Sequence, residues 1–387
     1  MAAQAMTILT HISILLLIGI FASAISNKLK ISNVLLLLLA GLTLGLVTDV
    51  FVFESNFLVA IGVLALAMIV FEGTTKFSFR QIDIYSGDGL KLTAYQVVLM
   101  AIIVGTISYF LLFSGMPGGV LFALILALSL AGTDPSSVIL LLPNANNKLT
   151  RLLTIESIIN TPVMVLLPFI VIDAITEAFS IYQIVAIGQQ IIVGVGTGVL
   201  VGLILFKVMR KSYSKGVSTA GIVAGALATY LIAENLDGNG VLAVATLGII
   251  FGNVHIKHKE ELTDFSFGFS SIVEILVFLL IGILVGSTLA LDGMLFVNAA
   301  IIFAGIFIVR LIAVHIVLRD EYDITDQLFI SVMMPKGIAV AVLIFIFSSS
   351  LYPFIPETLI STMFVVLLYS IILATVGGRI RTVQQQS

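Results

Sequence analysis

This sequence contains no cysteine and no tryptophan, and only 10 % of its 387 residues are charged. Without cysteine there can be no disulfide, thiol nucleophile or thiolate metal site, and the redox compartment leaves no mark. Without tryptophan, any aromatic belt at a membrane surface must come from tyrosine and phenylalanine. The shortage of charge excludes more. A soluble domain carries about 25 % charged residues, and this chain is 60 % hydrophobic with 18 Lys and Arg against 21 Asp and Glu. That composition cannot cover a water-facing surface, so the chain reads as an integral membrane protein surrounded by lipid. The apolar runs are long and lack the alternation of a barrel strand, which predicts an all-α fold. The net charge of −3 is spread over short loops and offers no basic face for nucleic acid.

Windows bounded by charges, Gly, Pro and Asn predict thirteen transmembrane helices, at 7–26, 32–52, 57–75, 89–113, 118–143, 149–175, 182–209, 217–234, 238–254, 266–288, 293–318, 325–350 and 357–377. The first, within MAAQAMTILTHISILLLIGIFASAIS, has small residues that mimic a cleavage site. No basic residue precedes its apolar run, so it is read as a span. The cations test this division. Lys28, Lys30, Lys76, Arg80, Lys91, Lys148, Arg151, Lys207, Arg210, Lys211, Lys215, Lys257, Lys259, Arg319, Arg379 and Arg381 all fall in odd-numbered loops or the tail. Positive-inside bias then predicts an outside N-terminus and a cytoplasmic C-terminus in the cell membrane.

The two leftover cations, Arg310 and Lys336, lie well within spans, the eleventh and twelfth. An odd span count predicts two inverted six-helix repeats, 7–175 and 217–377, joined by a linking helix at 182–209, with a short tail at 378–387. This is a transporter architecture. The fifth and twelfth spans then correspond, and each carries a break, at Thr133-Asp134-Pro135 and at Met334-Pro335-Lys336-Gly337. Proline lacks the N–H and clashes with the carbonyl four residues back. Each proline is expected to open a second half-helix, where the missing donor is harmless. Unwound backbone near the midplane is tolerated only where it is buried or lines a wet cavity. The other reading of Asp134, a loop between two short helices, is opposed by the matched break in span twelve.

Ionisable groups inside a bilayer ask for a partner or a function. Asp134, Glu156 and Glu274 face two bases, Arg310 and Lys336, which leaves one carboxylate without a permanent counterion. A cation or proton site needs such a group. In TIESIINTPV, Glu156 and Asn160 share one helix face, as do Ser157 and Thr161. Carboxylate, hydroxyl and amide oxygens beside a helix break suit a hard monovalent cation. Taken alone, such a stripe also fits interhelical hydrogen bonding. Gly194, Gly198 and Gly202 make a small-xxx-small ridge on span seven, suited to close helix packing or to a dimer contact.

GTDPSSVILLL followed by LTRLLTIESIINTP resembles the core of the monovalent cation/proton antiporters, the NhaP-type sodium/proton exchangers in particular. IVFEGTTKFSFRQI, GNGVLAVATLGIIFGN, IVEILVFLLIGILVG and MMPKGIAVAV resemble further stretches of that family, so the likeness runs from about residue 30 to 375. The resemblance implies Asp134, the Thr133 carbonyl and Ser157 at the cation site, with Asn160 in support. It implies a charge pair between Glu156 and Lys336 and a second between Glu274 and Arg310. It also implies exchange of Na+, K+ or Li+ for H+ by alternating access, a homodimer, a part in pH homeostasis, no enzyme activity and no resident cofactor. One position departs: the family has Asn-Asp where this chain has Asn160-Thr161. Three explanations stay open. Asp134 carries the exchange with Thr161 as a neutral ligand, the substitution inactivates the site, or the protein has left antiport for another task. A single exchangeable carboxylate predicts electroneutral exchange. A cation channel would share the broken helices, but its flux would not require a proton gradient.

Overall fold

The computed structural model describes residues 2–29, 31–48, 51, 53–75, 84–134, 148–176, 181–211, 215–256, 258–288, 292–349 and 352–384. Among them every regular element is a helix. In order these are α1 (Ala2–Leu29), α2 (Asn33–Val47), α3 (Ser55–Thr75), α4 (Ile84–Leu99), α5 (Gly119–Ser129), α6 (Lys148–Thr176), α7 (Ile181–Lys211) and α8 (Lys215–Asn235). They continue as α9 (Gly240–Asn253), α10 (Lys259–Thr288), α11 (Gly293–Leu318), α12 (Ile324–Val332), α13 (Ile338–Phe347) and α14 (Glu357–Gln384). The rod begun by α4 runs on through π-type turns at Met100–Val104 and Tyr109–Phe113. Nine stretches of the described residues are long and apolar enough to cross a bilayer unaided, and shorter apolar helices, α2, α5, α9 and α13, accompany them.

Local sequence explains where the elements start and stop. Asn239 caps α9, its side-chain oxygen accepting from the Leu242 N–H at 2.8 Å, and Asp292 caps α11 through the Leu295 N–H at 2.7 Å. Both satisfy donors that a helix start leaves orphaned. The fifth span stops being helical at Ser129, and Gly132 to Asp134 belong to no helix. Asp134 precedes a proline, and the ring of Pro135 disfavours the α region for that residue. The twelfth span behaves alike, since α12 ends at Val332, just before Met334-Pro335.

One expectation is corrected here. Pro335 does not open the second half-helix, because α13 begins at Ile338 behind Gly337. Residues 333–337 stay out of any helix, and their backbone groups are used in the contacts described below. The counterpart Pro135, with the rest of the fifth span, lies outside the described residues.

All ten residues of α13 are buried, and it packs against α3, α6, α10 and α14 at the centre of the bundle. Two close helix contacts tie the bundle together. Gly41 and Gly45 of α2 lie against Gly282 and Gly286 of α10, so a Cβ at any of the four would collide with a carbonyl oxygen across the contact. The ridge on α7 serves the same purpose within the chain. A Cβ at Gly194 would strike the Asn239 carbonyl, and one at Gly198 would strike that of Ala243.

Candidate functional site

The two breaks meet. The Asp134 N–H donates to the Pro335 carbonyl at 2.9 Å, and Lys336 Nζ donates to the Gly132 carbonyl at 2.7 Å. The Lys336 N–H donates to Ser370 Oγ of α14 at 2.9 Å. Polar backbone freed by each break is thus satisfied by the other, as membrane depth requires. Asp134 is 6 % exposed and Lys336 fully buried. The Asp134 side chain lies against Gly337, where an added Cβ would overlap its carboxyl. The carboxyl therefore stands at the N-terminal end of α13, and the Lys336 ammonium stands just past the C-terminal end of α5. Each half-helix presents the end of its dipole that complements the charge the neighbouring group can carry.

A second layer lies beside the crossing. Glu156 and Arg310, both 0 % exposed, form a bidentate pair with both N···O distances at 2.9 Å. Arg310 NH1 also donates to Gln96 Oε1 of α4 at 3.4 Å. Asn160 Nδ2 donates to Glu156 Oε1 at 2.8 Å and to Thr133 Oγ1 at 3.0 Å. Asn160 Oδ1 accepts from the Thr133 N–H at 3.2 Å. A continuous relay therefore runs from Gln96 through Arg310, Glu156 and Asn160 to Thr133, next in sequence to Asp134.

This corrects the expected charge pairs. Glu156 pairs with Arg310, and neither the Glu156–Lys336 nor the Glu274–Arg310 pair forms. The guanidinium fork matches two carboxylate oxygens, and α11 and α6 both pack on α4, which brings Arg310 to Glu156. Lys336 is instead directed to the carbonyl end of the opposite break. Glu274 sits half-buried on α10, a helix that packs on α2, α3 and α13.

A cavity of about 20 Å³, room for roughly one water, is lined by Thr133, Asp134, Thr161 and Gly337 and closed on the far side by Gly73 and Thr74 of α3. Thr161 Oγ1 donates to the Ser157 carbonyl at 2.7 Å and Thr74 Oγ1 to the Val70 carbonyl at 2.7 Å. Each hydroxyl keeps oxygen lone pairs for a cation. Ser157 is buried with its hydroxyl donating to the Leu153 carbonyl at 2.7 Å, and it does not line the cavity. The structure therefore gathers Asp134, Thr133 and Thr161 around one space, with Asn160, Glu156 and Arg310 behind Thr133. Sequence alone does not mark Gln96 and Ser370, because an amide or hydroxyl among apolar residues carries no pattern. Gly73 and Thr74 lay within the FEGTT stretch, but only packing shows that α3 faces the break.

Residues 12–380 match the family model described as sodium/hydrogen exchanger, transmembrane. The K(+)/H(+) antiporter NhaP of Alkalimonas amylolytica is 27 % identical over 359 residues, covering 90 % of this chain and 61 % of that protein. The low-affinity Na(+)/H(+) antiporter of Synechocystis is 26 % identical over 330 residues, covering 82 % of this chain and 61 % of its own length. The chain thus spans about three-fifths of the length of these relatives. A solved structure of a sodium proton antiporter from Methanocaldococcus jannaschii superposes with a TM-score of 0.79 at 18 % identity, covering 96 % of this chain and 98 % of that one. That likeness establishes the fold.

Proposed function

Because this chain belongs to the sodium/hydrogen exchanger transmembrane family, a family of multi-pass membrane transporters, we propose that it exchanges a monovalent cation for a proton at Asp134. The observation that carries this reading is the crossing of the breaks. It holds the Asp134 carboxyl at the N-terminal end of α13, on the wall of a water-sized cavity shared with Thr133 and Thr161.

The exchange is a competition for one carboxylate. A proton and a dehydrated cation cannot both occupy it, so loading one expels the other. Moving the loaded site past the apolar wall of α3, at Ile69 and Val70, strips its water. An ionised carboxylate resists that step by several kcal/mol, on the order of 3 at the bilayer centre on insertion scales. Binding either ligand removes the obstacle, which couples the two fluxes. A site bearing H+ and a site bearing Na+ have equal charge, so one-for-one exchange is electroneutral. Thr161 serves as a neutral ligand, while the Glu156–Arg310 pair and Asn160 hold Thr133 in place. Alternating access arises from motion of the broken spans and α6 against the bundle containing α3, between inverted repeats at 7–175 and 217–377. The reading extends to a homodimer in the cell membrane with the N-terminus outside and the C-terminus in the cytoplasm.

The test is reconstitution in proteoliposomes with a trapped pH dye, adding Li+, Na+ or K+ in turn. Wild type moves protons on cation addition and Asp134→Asn does not. Exchange that survives Asp134→Asn refutes the site, and cation flux that ignores the pH gradient makes the protein a channel.

A further inference from the structure

The far wall of the cavity is α3, which is closely backed by another helix. Behind it, Gly248 of α9 is so close that a Cβ there would collide with Thr74 Oγ1 and the Phe71 carbonyl. The near wall is closely packed too, since a Cβ at Gly132 would overlap the Met164 thioether, itself 2 % exposed and part of the cavity lining. Between these walls, Gly73 is the exception. It lines the cavity, is only half-buried, and a Cβ added to it would meet no heavy atom of the described residues within 4 Å.

We propose that Gly73 is a specificity-determining residue, whose missing side chain holds open the passage to Asp134 and sets the largest cation that can enter. The proposal rests on Asp134 being the exchange site. The alkali cations carry the same charge and accept the same oxygen ligands, so a carboxylate with hydroxyls distinguishes them weakly by chemistry. A narrow passage between two closely backed walls distinguishes them by size. One methyl group takes up space comparable with the single water the cavity holds, so substitution at 73 narrows the route on the scale that separates these ions. A proton handed along water needs no such room. The wall at 73 therefore grades metal ions and leaves the proton side of the exchange alone.

The experiment uses the full chain in proteoliposomes with a trapped pH dye, comparing Li+, Na+, K+ and Rb+. The variants are Gly73→Ala, Gly73→Val and, as a control, Gly221→Val on α8. An added Cβ at Gly221 also meets no atom of the described residues within 4 Å, and Gly221 is not part of the cavity lining. The readout is the exchange rate of the largest cation that wild type accepts, divided by the Li+ rate. This ratio is expected to fall roughly tenfold in Gly73→Ala, the scale of one methylene in a tight pocket, and further in Gly73→Val. The pH at half-maximal Li+ exchange stays that of wild type, and Gly221→Val keeps the wild-type ratio. Alanine favours helix over glycine, so Gly73→Ala keeps its fold and decides the matter if Gly73→Val elutes as aggregate. A uniform loss for all cations, an unchanged ratio, the same shift in Gly221→Val, or a wild type confined to Li+ overturns the proposal. A wild type that moves no protons with any cation overturns the exchange reading instead.

Discussion

Substituting Arg310 by methionine leaves the Glu156 carboxylate fully buried, with only the Asn160 amide and the Thr133 hydroxyl for partners. Removing one member of a buried ion pair costs about 3–5 kcal/mol, because the survivor keeps its desolvation penalty without its counterion. A Coulomb estimate agrees: unit charges 4 Å apart at an effective dielectric of 20 attract by about 4 kcal/mol. The double variant Glu156→Gln/Arg310→Met removes both charges and keeps an amide oxygen for Asn160. Replacing a buried pair by neutral groups is often close to neutral, so the double variant should be more stable than Arg310→Met alone. Unfolding of the purified protein in mixed micelles, followed by scanning fluorimetry and by denaturant titration, gives the four corners of the cycle. The expected result is a coupling energy above roughly 2 kcal/mol with the double variant rescued. Losses below about 1 kcal/mol in each single variant, as at a solvated pair, would refute the placement of this pair in a dry interior.

Four further outcomes follow from the site. Acid inhibition should be competitive: a proton and the cation contend for one carboxylate, so the half-saturating cation concentration rises as pH falls, by up to roughly tenfold per pH unit, and excess cation restores the rate. A fall in maximal rate with unchanged half-saturation would contradict this. Thr161→Asp adds a second exchangeable carboxylate to the cavity, so proton movement should become sensitive to an imposed membrane potential, measured with a potassium–valinomycin clamp. Gly337→Ala places a methyl where the Asp134 carboxyl lies and should cost about 1–3 kcal/mol in stability together with most of the exchange. Asp292→Ala removes only the α11 cap, a loss of about 1 kcal/mol, and should leave the ratio of cation rates unchanged.

Much of this protein is legible residue by residue. The run NVLLLLLAGLTLGLV can only be an apolar helix, and Asp134 and Met334, each ahead of a proline, cannot sit comfortably in one. Glu156 and Asn160, four residues apart, lie on one helix face because the helical repeat puts them there, and their side chains do touch. The resemblance carried by the Thr-Asp-Pro and Glu-Ser-Ile-Ile-Asn stretches agrees with the family match over residues 12–380. Less legible was the position of Pro335 in its break. Local rules favour proline at the start of a helix, whereas the crossing needs a non-helical segment whose carbonyl can receive the Asp134 N–H.

Membrane class, helical architecture and the two interrupted spans are thus properties of the chain alone, since hydropathy and proline act over a few neighbouring residues. Which base neutralises Glu156 is not such a property. Arg310 and Lys336 carry equal charge far along the chain, and a count of signs cannot choose between them. The choice falls to the packing of α11 and α6 on α4, which sets a guanidinium fork at 2.9 Å from both carboxylate oxygens and turns Lys336 towards the carbonyl of Gly132. Gly73 came into view in the same way, because the space beside a glycine is defined only by what the rest of the fold leaves empty.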